Sequence, residues 1–456
     1  MTASRLLRMH RPGVCLVCAF VLLLTDVVSP AGPLGGGTQA YADDDDDDGG
    51  GGGGSRASGG ERSFSGSRGS NLFRALRRQF RQERVRKPRR AVQRQAAVVS
   101  PGHRPDEIVA LGLTTTQVDG LVAQGFQITS RHRLAAIDGE IIKFDPPTGQ
   151  TLDEARASIL GSAPTASVDF NHLYRPESGE ACGGKPCVAP SLVGWPGVGA
   201  PLGRCTSDGV TIGLIDTAIN PEHETFKSSR LEVVRLDPTV KDQSGRQHGT
   251  AVASLLVGTG AAGTPGLLPD ARLVAVDAFR ANNRADAYDL VRAIDVLVAR
   301  QVSVINMSLS GPENGVLAKA IERVDQKGID MVAAAGNGGP GAKAAFPAAY
   351  DQVIAVTAID RQKKPYRRAN RGDYIDLAAP GVGVWAAASV EGTKPKTGTS
   401  FAAPFVTAAV ALAKSQGVAV NDIAGVLTKD AEDLGEPGKD PIFGWGLLNA
   451  RKLCSG

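Results

Sequence analysis

Hydrophobic and polar positions along this chain fall into three regimes. Between residues 104 and 175 the period changes often: 107–113 alternate as a strand, 115–125 follow helical spacing, 127–134 and 140–145 read as strands, 151–160 as a helix and 166–170 as a last strand. That order is a split βαβ pattern of the ferredoxin type, a small α+β unit that by itself names no function. From residue 210 the pattern is different. Residues 210–215 form a short unbroken apolar run, as in a strand buried on both faces, and Asp216 stands at its carboxyl end. Small residues around Gly249, Thr250 and Ala251 open an apolar helix, and 405–413 form a second apolar stretch fit for a buried helix.

The third regime precedes both and has no core-forming pattern. Arg5, Arg8 and Arg11 lead into an apolar run over 14–24, the length of a signal-peptide core and too short for a comfortable membrane span. Residues 1–42 therefore read as an export signal, and the product as secreted or periplasmic. Ala40-Tyr41-Ala42 is a small-x-small cleavage site; a cut after Ala31 and an uncleaved membrane-anchored form are the alternatives. Asp43 to Asp48 are consecutive carboxylates and Gly49 to Gly54 consecutive glycines, and neither run can bury anything. Residues 55–103 hold thirteen Lys or Arg against Glu61 and Glu83, a local net of about +11. Leu72, Leu76 and Phe80 recur every four residues there, so a basic amphipathic helix on an anionic surface is one reading of 56–94. The favoured reading makes 43–103 a disordered pro-segment, with at most weak anionic-surface contact and no specific nucleic acid.

Composition narrows the class. The 456 residues are 42% hydrophobic, 21% charged and 5% aromatic, which excludes a polytopic membrane protein, a disordered chain and a coiled coil. The formal charge of +4 arises wholly before residue 176, because 176–456 carry 29 basic and 29 acidic side chains. Net charge thus says nothing about a substrate.

Candidate chemistry lies at three points. Asp216 ends a buried strand, where active sites of parallel α/β sheets gather. His248, one of six histidines, stands beside Gly249-Thr250 at a helix start. Ser400 lies in Gly398-Thr399-Ser400-Phe401-Ala402-Ala403-Pro404 at the amino end of an apolar helix, where free N–H groups and the positive dipole end would meet an oxyanion. The order Asp, His, Ser, with this sequence around each member, resembles the subtilisin-like serine peptidases. Further support comes from Val304-Ile305-Asn306-Met307-Ser308-Leu309-Ser310-Gly311-Pro312, from Ala333-Ala334-Ala335-Gly336-Asn337-Gly338, and from Ala378-Ala379-Pro380-Gly381 and Gly444-Trp445-Gly446. An α/β-hydrolase is excluded, since Ser400 is not in a Gly-x-Ser-x-Gly elbow and the triad order differs.

The resemblance implies a three-layer α/β catalytic domain over 210–456 with a mostly parallel central sheet, preceded by a ferredoxin-like prodomain over 104–175 and a linker over 176–209. It implies a secreted, self-processing endopeptidase, acting as a monomer on polypeptides. Ser400 would be the nucleophile, His248 the base and acid, Asp216 the partner that orients the imidazole, and Asn337 an oxyanion donor. Ser308, Leu309, Ser310 and Gly311 would pair with the substrate backbone, and the small Ala333, Ala334 and Gly336 would leave room in the primary pocket. The prodomain would assist folding and then inhibit, with Asn171-His172-Leu173-Tyr174 lying product-like in the cleft. Cleavage after Arg175 would put Pro176 just past the scissile bond, so the cut is expected after Tyr174 or within 177–189. No cofactor is needed for the chemistry; the family often binds structural calcium, but no ligand set maps onto this sequence.

There are departures. Ala218 stands where the family usually has Gly, which puts the turn after Asp216 in question, and Ser310 replaces a usual Gly. Residues 361–371 are unusually basic and read as a solvated loop rather than an exosite; Arg371-Gly372-Asp373 inside it reads as chance. Four cysteines lie in the presumed mature part, and the favoured pairing is Cys182 with Cys187 and Cys205 with Cys454. The rival to an enzyme is a binding or adhesion module that keeps the catalytic residues without turnover; the filling of all four catalytic positions argues against it.

Overall fold

A computed structural model describes residues 102–176, 189–195, 207, 209–237, 244–263 and 265–454. The export signal, the acidic, glycine and basic runs, most of the linker, and Cys182, Cys187 and Cys205 lie outside the described residues, as does the Cys454 side chain.

The amino-terminal unit follows the predicted order: β1 (His103–Leu111), α1 (Thr115–Ala123), β2 (Gln127–Arg133), β3 (Glu140–Asp145), α2 (Leu152–Ser162) and β4 (Ser167–Pro176). The strands pair antiparallel in the order β4-β1-β3-β2. Both helices begin at a threonine capping box, Thr114 with Gln117 and Thr151 with Glu154, which satisfies the first free N–H groups locally. Alternation along β1 sends Ile108 and Ala110 under the two helices and Val109 and Leu111 to the opposite face. That opposite face is where the unit meets the rest of the chain.

Strand β4 is longer than its sequence pattern implies, running on past Phe170 to Pro176. The reason is that its last residues find partners in a distant segment. Leu173 and Tyr174 pair with β8 (Ala285–Asp286), and Arg175 and Pro176 pair with β10 (Leu309–Ser310).

The larger part is a three-layer α/β domain. Its seven parallel strands are β5 (Thr211–Asp216), β6 (Arg230–Arg235), β7 (Arg272–Asp277), β9 (Val304–Met307), β11 (Asp330–Ala334), β12 (Val353–Ile359) and β13 (Leu377–Pro380), in the order β13-β12-β11-β9-β5-β7-β6. Ile212 and Leu214 face α3 (Gln247–Val257) and α6 (Ala403–Ser415), whereas Ile215 faces α4 (Ala287–Ala299) and α5 (Gly315–Asp325). Both faces are covered, which is why the strands read as continuous apolar runs.

Helices α4 and α5 also carry the amino-terminal unit. Val109, Leu111, Leu134, Ile137 and Ile141 share one buried cluster with Leu290, Ile294 and Ile321. Polar contacts fix the orientation. Asp295 Oδ1 accepts from the Ala136 and Ile137 N–H groups (2.7 and 3.0 Å), and Asp169 Oδ2 accepts from the Gly315 N–H at the start of α5 (2.7 Å). Asn314 Nδ2 donates to the Phe170 carbonyl (2.9 Å), and Arg323 reaches the carbonyls of Ile137 and Asp138.

Replacing Asp295 by Ala leaves the buried Ile137 N–H without its acceptor, a cost of about 1–3 kcal/mol. In the full-length chain, hydrogen exchange at Ala136 and Ile137 is expected to accelerate while β9 and β11 exchange as before; unchanged exchange at 136 and 137 would contradict this docking mode.

Candidate active site

Asp216 lies at the carboxyl end of β5, and His248 in the first turn of α3. His248 Nδ1 and Asp216 Oδ1 are 2.7 Å apart, with the two side chains 8% and 1% exposed. An ionised carboxylate can only accept, so Nδ1 carries the hydrogen and Nε2 is the nitrogen able to take a proton. The helix start is locked to the strand end: the Gly249 N–H donates to Thr217 Oγ1 (2.9 Å), and a Cβ on Gly249 would lie 2.3 Å from the Thr217 carbonyl oxygen. Only glycine permits that approach.

The turn after Asp216 accommodates Ala218 without a left-handed backbone, and the Ala218 N–H donates to Ser244 Oγ (2.7 Å). Ser244 Oγ in turn donates to Asp277 Oδ1 (2.9 Å). Burial pushes the Asp277 carboxyl up, against the hydrogen bonds from Ser244 and the Phe279 N–H, and the nearby charge of Asp216 adds to the rise.

Ser400 occupies the short turn Thr399–Phe401 that leads into α6. Gly398 has φ +144°, a conformation that side-chain-bearing residues rarely adopt. Ser400 Oγ donates to the Ser308 carbonyl, and Ser308 Oγ donates to the Ser400 carbonyl, both at 2.9 Å. Asn306 Nδ2 donates to Ser308 Oγ (2.9 Å), and Thr407 Oγ1 donates to Asn306 Oδ1 (2.8 Å). Asn337, just past β11, accepts at Oδ1 from the Thr399 N–H and from Thr399 Oγ1, both at 3.1 Å. Its oxygen is thus committed to Thr399, and the NH₂ is the end able to donate elsewhere. The rings of His248 and Phe401 lie 5.3 Å apart, which brings the histidine helix onto the serine turn.

Leu309 and Ser310 form β10, and Gly311 exchanges backbone hydrogen bonds with Phe346 (2.8 and 3.0 Å). The end of β4 lies between β8 and β10 as the central strand of three. Tyr174 is 1% exposed; its hydroxyl donates to the Pro312 carbonyl (3.1 Å), and burial pushes its phenol up, which keeps it a neutral donor. A Cβ on Gly311 would meet the Tyr174 ring at 2.3 Å. Beside this strand is a cavity of about 770 Å³ lined by Arg175, Ser310, Gly311, Lys343, Phe346 and Asn370, among others. Ala333, Ala334 and Gly336 are not among its lining residues: Ala333 packs into the core, and Gly336 (φ +102°) lies against Asn370.

Sequence reasoning did not single out Gln247, Lys394 and Lys396, which gather beside His248. Lys394 and Lys396 alternate on one face of a strand, but only the fold brings Gln247 to them. Among the described residues no cluster of three or more His, Cys, Asp or Glu side chains is disposed to hold a metal ion, and no helix is long and apolar enough to cross a membrane.

Asp216 and His248 thus form a buried pair at the edge of the parallel sheet, and Ser400 lies in a turn at a helix start. Comparison with known proteins gives the family. Residues 207–446 match the subtilase family (peptidase S8). Subtilisin DY of Bacillus licheniformis is 32% identical over 251 residues, covering 53% of this chain and 89% of that protein. The minor extracellular protease Epr of Bacillus subtilis (strain 168) is 30% identical over 247 residues, but this chain spans only 38% of its length. Fervidolysin from Fervidobacterium pennivorans, a keratinolytic enzyme related to subtilisin, has the same fold, with a TM-score of 0.65 at 20% identity over 78% of this chain and 62% of that one. The chain belongs to the subtilase family.

Gly249→Ala is expected to push α3 off the end of β5, at a cost of about 1–3 kcal/mol. A lower denaturant midpoint, with loss of the downfield imidazole proton in the NMR spectrum, is the predicted result; wild-type values for both would refute the interlock.

Proposed function

We propose that this chain is an exported, self-processing serine endopeptidase. The observation that carries the reading is the buried 2.7 Å contact between His248 Nδ1 and Asp216 Oδ1 in a chain of this family. In that reading His248 Nε2 takes the proton from Ser400 Oγ as it attacks the scissile carbonyl, and then delivers it to the leaving amine. Asp216 holds the ring in the required tautomer and stabilises the imidazolium. The Asn337 amide and the Ser400 N–H bind the oxyanion of the tetrahedral intermediate, and water releases the acyl group in a second pass through the same steps. Ser308 to Gly311 hold the substrate as an added strand. Export is supported by the amino-terminal apolar run and by the extracellular location in the name of Epr.

The amino-terminal unit acts as folding assistant and inhibitor in this proposal, its β4 end using the backbone pairing a substrate would use. Its register bears on the self-cleavage point. Extending the register that pairs Arg175 with Ser310 and Pro176 with Leu309 by one residue would set residue 177 opposite Ser308, whose carbonyl accepts from Ser400 Oγ, so the proposed cut follows Glu177. Cleavage after Tyr174 fits that register poorly, since Tyr174 pairs with Ala285 three residues short of that point.

Amino-terminal sequencing of the mature protein is expected to begin at Ser178, and a Ser400→Ala chain to remain unprocessed; a mature start at Arg175 would contradict the register argument. Asn337→Ala is expected to lower kcat by about 10²–10³-fold with little change in KM, the size seen for loss of such a donor in the related subtilisin. An unchanged kcat would remove Asn337 from the oxyanion site.

A further inference from the structure

We propose that Asp277, acting through Ser244, is a positioning residue for the Asp216–His248 pair; the proposal deepens the endopeptidase reading above and rests on it. The Ser244 hydroxyl is the point where three segments meet. It accepts from the Ala218 N–H in the turn after Asp216 (2.7 Å) and donates to Asp277 Oδ1 at the end of β7 (2.9 Å). Its own backbone leads directly into α3, and the side chain is buried, at 3% exposure. A hydroxyl has one proton, so the Asp277 acceptor decides where that proton goes and leaves a lone pair aimed at the Ala218 N–H. Without the carboxylate the hydroxyl has no fixed sense.

The same turn is held from its other side by α3. The Gly249 N–H donates to Thr217 Oγ1 (2.9 Å), and the Thr217 N–H donates to Asp216 Oδ1 (2.7 Å), the oxygen that faces His248 Nδ1. Residues 216–218 are thus clamped between Gly249 and Ser244. The segment that carries Ser244 is itself tied to the loop after β7, because the Gly245 N–H donates to Asn283 Oδ1 (2.8 Å). A slip of this turn would carry the Thr217 N–H with it, and so shift the carboxylate oxygen on which the orientation of the imidazole depends.

Asp277 also brings charge to the pair. Asp216 and Asp277 are register partners on the parallel strands β5 and β7, so their side chains leave the sheet on the same face. The groups that face Asp277 are Ser244 and the Phe279 N–H, which donate to it, Asp216 on β5, and Arg235 at the end of β6. Burial pushes the Asp277 carboxyl up, the two hydrogen bonds and Arg235 oppose the rise, and the Asp216 charge adds to it. Each carboxylate therefore lies in the field of the other. An imidazolium formed against Asp216 is favoured by the second negative charge as well as by the first.

The test compares mature wild-type enzyme with Asp277→Asn, Asp277→Ala and Ser244→Ala. Asparagine keeps the acceptor oxygen and loses the charge. The acidic limb of the kcat/KM profile is therefore expected to move to lower pH by about half a unit, because the base sheds its proton more readily. Alanine at 277 removes the acceptor too, and alanine at 244 leaves the Ala218 N–H unpaired. Both are expected to lower kcat by about tenfold with little change in KM, the scale of one lost hydrogen bond. The position of the limb does not depend on how much of the enzyme is folded, and so separates positioning from stability. An unmoved limb in Asp277→Asn, or a wild-type kcat in either alanine variant, overturns the proposal. In full-length chains carrying Ser400→Ala, the downfield imidazole proton is expected to weaken in Ser244→Ala and to persist in Asp277→Asn. An unchanged signal in Ser244→Ala overturns the proposal without recourse to activity. Absence of turnover by the wild-type mature enzyme overturns the endopeptidase reading instead, and the imidazole signal still decides whether Ser244 holds the pair in place.

Discussion

The first turn of α3 packs directly against the end of β5, and the rest of the site depends on that contact. Gly249 lies against the Thr217 carbonyl at a distance that excludes even a methyl group, and its N–H is tied to Thr217 Oγ1. That contact sets where residue 248 can be, and so delivers His248 Nδ1 to Asp216 Oδ1. The parallel sheet supplies the other half of the constraint by ending β5, β9 and β11 at one edge, which gathers Asp216, Ser308 and Asn337. Thr399 then couples the Asn337 amide to the serine turn, so Asn337 and Ser400 share one hydrogen-bonded frame.

The amino-terminal unit is joined to this frame at two places of different physical character. On α4 and α5 the contact is a continuous apolar cluster with a few oriented polar groups, the kind of interface that supplies affinity. At β8 and β10 it is backbone pairing, with Tyr174 buried beside Gly311 as the anchor. A proteolytic cut at the end of β4 removes the chain connection between these two contacts and the larger domain but leaves both contacts in place. The contacts themselves therefore do not depend on the covalent link at the end of β4.

What could be read from the sequence was what is encoded locally. Asp216, His248, Asn337 and Ser400 each sit in a stretch whose small residues and glycines announce a close backbone approach, and the two helices of the amino-terminal unit follow from the apolar spacing over 115–125 and 151–160. The full length of β4 could not be read, because Leu173 to Pro176 become strand only through partners at 285–286 and 309–310. Gln247 and the two lysines escaped for the same reason: their meeting depends on a hairpin far along the chain from α3.

The central claim is that Ser400 is a nucleophile activated by His248. Intact-mass analysis after exposure of the mature protein to a fluorophosphonate probe tests it most directly. The account predicts one adduct per chain, mapped to Ser400 and absent from a folded His248→Ala variant. An adduct on another residue, or equal labelling of that variant, would contradict it.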